Sequence, residues 1–143
     1  MPTNYVLVRE SRLVITIYSG KVTLREVLDL VDIVETHTIR GEVGSIFADV
    51  SRVTEIDITK DQMADMAGLI KGLSSIQRWP HRKAVYAPSE LAYLSACAFR
   101  DVVADGQNVE IGVFRELPAA LDFARVDETA VGIVTRLVSA GHH

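Results

Sequence analysis

The sequence predicts an α/β domain built on a five-stranded, mixed but mostly parallel sheet, and three observations carry that expectation. Strand-like and helix-like segments alternate from residue 12 onward, an order that places crossover helices between parallel strands. Two stretches, Thr23-Leu24-Arg25-Glu26 and Thr59-Lys60-Asp61-Gln62, carry the capping-box pattern of a helix start. The first two strand-like runs are separated only by a turn at Glu10-Ser11, which makes that pair antiparallel and puts the first strand at or near an edge. The expected order is β-β-α-β-α-β-α-β-α, followed by a tail helix.

Each element has its own justification. Residues 4–10 and 12–18 form the first two strands; Leu13, Ile15 and Ile17 alternate with Val14, Thr16 and Tyr18, the period of a strand. Ser19-Gly20-Lys21 is expected to break the second. The helix opened by Thr23 carries Val27, Leu30, Val31 and Val34 on one face, with Asp29, Asp32 and Glu35 on the wet side. Ile46-Phe47-Ala48 is a buried-strand pattern that runs into Asp49, so Asp49 is expected at the carboxyl end of the central strand with Phe47 buried. A polar turn then leads to Thr59, the N-cap of a helix bearing Met63, Met66, Ala67, Ile70 and Leu73 at helical spacing. Arg82 to Ala87 is the fourth strand. Ser89 caps a helix running to about Ala104, with Leu94, Cys97, Ala98 and Val102 inward, and Asp105-Gly106 closes it. Val109 to Phe114 is the fifth strand, and Pro118 sits in the first turn before a short helix, Ala119 to Ala124. Asp127 caps the tail helix, Thr129 to Ser139.

Bulk properties narrow the function. A chain of 143 residues suits one domain, and its apolar share is enough for one core without metal or disulfide. The formal net charge of −4 argues against nucleic acid as the main partner. Cys97 is the only cysteine, which fits a reducing compartment; with no leader-like start and no long apolar run, the expected location is the cytoplasm. Gly141-His142-His143 resembles the start of an expression tag. The expected division is a domain over 1–125, a tail helix over 126–140, and the tag remnant at 141–143.

Candidate site residues cluster after the central strand. Asp49, Ser51, Asp57 and Lys60 are candidate partner-binding residues, and Thr59 is a candidate phosphoacceptor. A phosphate on Thr59 would meet the free N–H groups and positive end of a helix, with Lys60 as counter-charge. The plainer reading is that Thr59 is only a cap and Asp49 only binds loop N–H groups. Met63, Met66 and the single tryptophan, Trp79, are either core or the wall of an apolar pocket. The basic segment Arg78 to Lys83 either faces a membrane or an acidic partner with Trp79 as anchor, or is solvated around a core tryptophan. His37 and His81 stand alone in sequence, Cys97 lies on an apolar helix face, and no metal-ligand spacing or phosphate-binding glycine loop occurs. No enzyme activity, cofactor or metal is expected.

Over about residues 4–125 the chain resembles the STAS domain, the SpoIIAA-like fold named for sulfate transporters and anti-sigma factor antagonists. Asp49-Val50-Ser51-Arg52-Val53 is similar to that family's acid-leucine-serine strand end. Ile56-Asp57-Ile58-Thr59 is similar to its Asp-Ser-Ser-Gly turn, and Phe114 to Leu121 to its last strand and helix. In phosphorylated members the second serine of the turn is modified, and Thr59 falls on it; Ile58 stands in place of the first serine and Lys60 in place of the glycine. The chain is closer to divergent bacterial single-domain members. The resemblance implies a regulatory module that acts through a protein partner. Some of that group also resemble lipid-carrying domains, which implies a carrier or sensor of a small apolar or lipid-like ligand as the alternative. The apolar stripe Val131, Val134 and Val138 of the tail helix, with Ile133 and Leu137 beside it, is expected to join a second copy in a homodimer.

Overall fold

A computed structural model describes residues 3–103 and 109–140. The strands are β1 (Thr3–Val8), β2 (Leu13–Thr23), β3 (Ser45–Asp57), β4 (Arg82–Tyr86) and β5 (Glu110–Phe114). The helices are α1 (Leu24–Ile39), α2 (Lys60–Ser75), α3 (Glu90–Val103), α4 (Leu117–Ala124) and α5 (Glu128–Ala140). The strands form one sheet in the order β1-β2-β3-β4-β5, with β1 antiparallel on the edge and the other neighbours parallel. The expected α/β class, strand count and element order are those observed.

Period-2 alternation sends the residues of each strand to two cores. Val14 and Ile46 join Val31, Val34, Met66, Ile70 and Trp79 in the layer under α1, α2 and α3. Leu13, Ile15 and Phe47 join Ala120, Ala124, Ala130, Val134 and Val138 in the layer under α4 and α5. Phe47 is fully buried, as its pattern predicts.

Five local expectations need correction. Ser19-Gly20-Lys21 does not end β2, which runs on to Thr23. Gly20 takes φ +65°, and the register shifts on both sides of it, with the extra residues in β3, so β2 keeps its pairing instead of breaking. Likewise β3 does not end at Asp49: it continues to Asp57, paired with β2 well beyond the last β4 partner, Tyr86 opposite Asp49. Thr23 makes no side-chain cap bond, because it is still the last paired residue of β2, opposite Asp57. On α3, Leu94, Ala98 and Val102 point outward while Ala92 and Val103 are buried. That helix is apolar on both sides, so periodicity does not identify its inner face. Finally, α5 is not a free stripe. Ala130, Val134 and Val138 pack on the chain's own sheet, and Arg52 donates to the Leu137 carbonyl, so the face expected to meet a second copy is covered within one chain.

Other caps form as expected. Thr59 Oγ1 accepts from Gln62 N at 3.1 Å and Gln62 Oε1 accepts from Thr59 N at 3.0 Å, both halves of a capping box. Ser89 Oγ accepts from Ala92 N, and Asp127 Oδ1 from Ala130 N. The expected Asp105-Gly106 cap and the tag at 141–143 lie outside the described residues. Among the described residues no helix is long and apolar enough to cross a membrane.

Candidate functional site

The extension of β2 and β3 past the end of β4 decides where each expected site residue falls. Asp49 is enclosed, at 1 % exposure, on the α4–α5 face of the sheet. Its Oδ1 accepts from Ser51 N at 2.9 Å, while Oδ2, Ser51 Oγ and Arg52 Nε find no hydrogen-bond partner among the described residues. Burial, with Asp49 and then Glu116 adding to it, pushes the neighbouring Tyr86 phenol up. Asp57, Thr59 and Lys60 are exposed at the far end of β3, roughly 25 Å along the strand from Asp49 at ~3.3 Å per residue. Asp57 is ion-paired with Lys21 at 3.6 Å. The polar set is thus two places: a buried acid beneath α5, and an exposed edge at the start of α2.

The residues between those acids have a different use. Val50, Val53, Ile56 and Ile58 line a cavity of about 130 Å3 between the sheet and α1, α2 and α3. The β2–β3 extension forms one wall, with Tyr18 and Val22. Helix α1 supplies Val27, Leu30, Val31 and Val34; α2 supplies Met63, Met66 and Ile70; α3 supplies Ala92, Ser95, Ala96 and Phe99. Trp79 closes one side. Met63, Met66 and Trp79, the residues offered by the sequence as an alternative pocket, therefore line one space.

The basic segment preceding β4 does not form one patch. Arg78 is exposed and pairs with Glu35 at 3.7 Å. Trp79 is buried in the core under α1 and α2. Arg82 is held inward by Glu110 at 3.0 Å, by the Phe123 carbonyl, and over the Phe123 ring. A membrane-facing surface from Arg78 to Lys83 is not assembled, because strand alternation turns Arg82 and Lys83 to opposite faces of a covered sheet.

Lys83, on the cavity side, is the site residue that sequence reasoning missed. Its Nζ lies 5.3 Å from the centroid of the Phe99 ring, and among the described residues no carboxylate pairs with it. Burial pulls its pKa down from the usual 10.5 to about 8. Two strands away, Thr16 is 2 % exposed and lines the same cavity. Its Oγ1 has no hydrogen-bond partner among the described residues. The Tyr18 phenol beside it is pushed up to about 12 by burial; the Thr16 hydroxyl is near enough to ease that shift, though not in hydrogen-bond geometry. The signal for Lys83 was available: it shares a strand face with Val85, two residues on, inside the run read as the fourth strand. Among the described residues no group of three His, Cys, Asp or Glu side chains converges as a metal site requires.

No family model matches this sequence, and no curated protein matches it. Solved structures do. An uncharacterized protein of the DUF3478 family with a SpoIIAA-like fold, from Shewanella loihica, aligns at a TM-score of 0.57 with 15% identity, over 85% of this chain and 93% of its own. The anti-sigma factor antagonist SpoIIAA, in its unphosphorylated form, aligns at a TM-score of 0.53 with 17% identity, over 84% and 94%. With the element order and strand order above, these alignments show that the chain has the SpoIIAA-like fold.

Proposed function

We propose that the protein is a binding module whose working site is the cavity under α1, α2 and α3, where it carries or senses a small apolar ligand. The observation that supports this best is the lining itself. Twenty-three residues surround the space, and aliphatic and aromatic side chains dominate it, with a few polar groups placed among them, the composition of a small-molecule site. A volume of about 130 Å3 is close to the ~150 Å3 of an engineered apolar cavity that takes up benzene. Trp79 is the only tryptophan and lines the cavity, so its emission reports occupancy. Titration with hexan-1-ol is expected to shift Trp79 fluorescence saturably, and Ala96→Leu, which fills the space, to remove the response. An unsaturable drift, or an equal response in the filled variant, would count against the cavity as a site.

A second reading is a regulatory module acting through a protein partner, as the likeness to an anti-sigma factor antagonist suggests. The observation favouring it is surface: Leu91, Leu94 and Val102 stand exposed along α3, and Thr59 is exposed at the start of the neighbouring α2, beside Asp57 and Lys60. Phosphorylation of Thr59 would place negative charge at that helix N-terminus, where it is favoured. Intact mass of natively expressed protein tests for the phosphate. Solution mass of wild type against Leu94→Asp tests whether the α3 face joins a second copy.

A further inference from the structure

We propose that the ligand of this cavity is a small amphiphilic carboxylate, its apolar part held among the aliphatic walls and its anionic head on Lys83. This rests on the cavity reading above and narrows it to a chemical class. The case begins from what a lysine on an inner sheet face ordinarily does. Lys83 is half-buried, and a lysine drawn even partly out of water usually has a partner, since desolvating an ammonium costs free energy that an opposing charge or good acceptors offset. The other cations turned inward here follow that rule: Arg82 has Glu110, and Arg52 has the Leu137 carbonyl. Lys83 has an aromatic face and, among the described residues, no anion.

Its position is set by β4, between Ile46 of β3 and Ile111 of β5, so the stem crosses apolar side chains before the amine reaches the cavity. Thr16 adds a second, independent sign. An enclosed hydroxyl without a partner in hydrogen-bond geometry is uncommon in a finished core, and this one, with only the Tyr18 phenol near it, faces the same space. By strand spacing and rise, its Cα lies on the order of 12 Å from that of Lys83. A hydrocarbon would leave both groups unanswered; a ligand with a carboxylate and a short apolar body answers the amine and still fits the volume. The amine is mostly protonated at neutral pH even with its lowered pKa of about 8, and a bound carboxylate would hold the proton more firmly.

The test compares two probes of equal length, hexanoate and hexan-1-ol, by calorimetry and by Trp79 emission, on the full chain and on Lys83→Met. Wild type is expected to bind hexanoate about tenfold or more tightly than hexan-1-ol, the scale of a charge-assisted bond. Lys83→Met is expected to lose the preference for hexanoate, the two probes binding it within about twofold of each other. Circular dichroism and thermal unfolding confirm that the variant is folded. If both probes bind wild type equally, or if the variant keeps the preference, the carboxylate assignment is overturned while the cavity reading stands. If neither probe binds wild type, the cavity reading itself falls.

Discussion

Lys83 should cost the fold stability, and the pH dependence of that cost is calculable. Its folded pKa, about 8, lies below the ordinary 10.5. Below pH 8 both folded and unfolded chains carry the charge, and the folded chain bears the desolvation. Between about pH 8 and 10.5 the unfolded chain holds the proton more firmly than the folded one, so stability rises with pH there. Above that window neither form is charged and the cost is gone. Lys83→Met should therefore raise stability at pH 7 by on the order of 1 to 3 kcal/mol, toward the low end because the amine keeps some contact with solvent. The gain should shrink to nothing by about pH 10.5. Tyr18, the other shifted group in the cavity, is pushed up to about 12 and stays protonated through this window. Urea unfolding of both proteins at pH 7, 9 and 10.5 checks it, and a gain independent of pH would mean that methionine merely packs better. A residue that weakens the fold and is turned into a cavity is what a binding group looks like.

At the scale of the element, the start of α2 shows how much a short motif can settle locally. Thr59 and Gln62 close both bonds of the capping box, so Thr59→Ala should lose about 1 kcal/mol in chemical denaturation while Thr59→Ser stays nearly neutral. Thr23 heads the same pattern and makes neither bond, so Thr23→Ala should cost clearly less than Thr59→Ala by the same measurement. The difference lies in what precedes each threonine. Thr59 is separated from the end of β3 by Ile58 and lies outside any ladder, whereas Thr23 is the last rung of β2 and takes its direction from Asp57 opposite. The β2–β3 extension also explains why the candidate residues of β3 divided. Along the strand Asp49 and Ser51 pair in the buried layer and Asp57 pairs with Lys21 at the exposed end, while Val50, Val53, Ile56 and Ile58 become cavity wall. Two register shifts, each with its extra residue in β3, redirect side chains there, and alternation within the strand does not report where such bulges fall.

For the whole molecule, the two layers on either side of the sheet are not equal in function. The α4–α5 side closes the core, with Leu13, Ile15 and Phe47 under Ala130, Val134 and Val138. Ending the chain at Arg125 removes that cover and should abolish cooperative thermal unfolding, leaving a species that binds hydrophobic dye. A truncated chain that still melts cooperatively would make α5 an accessory to a domain ending at 125. The α1–α3 side keeps an unfilled space, and the binding chemistry proposed here lies in it. Much of this was legible in the sequence alone. Alternation of Leu13, Ile15 and Ile17 with Val14, Thr16 and Tyr18 marks a strand wherever it lies, and Thr59-Lys60-Asp61-Gln62 marks a helix start, because both signals are local and repeat with the period of their own backbone. The α/β class, the element order and the antiparallel first pair follow from them. Local signals say which residues share a face, but not what stands opposite that face. Only the packed sheet decided that β3 runs on past Asp49, that Asp49 is enclosed, that α5 covers its own domain, and that Lys83 ends in a cavity without a counter-charge, because each depends on contacts between segments far apart in the chain.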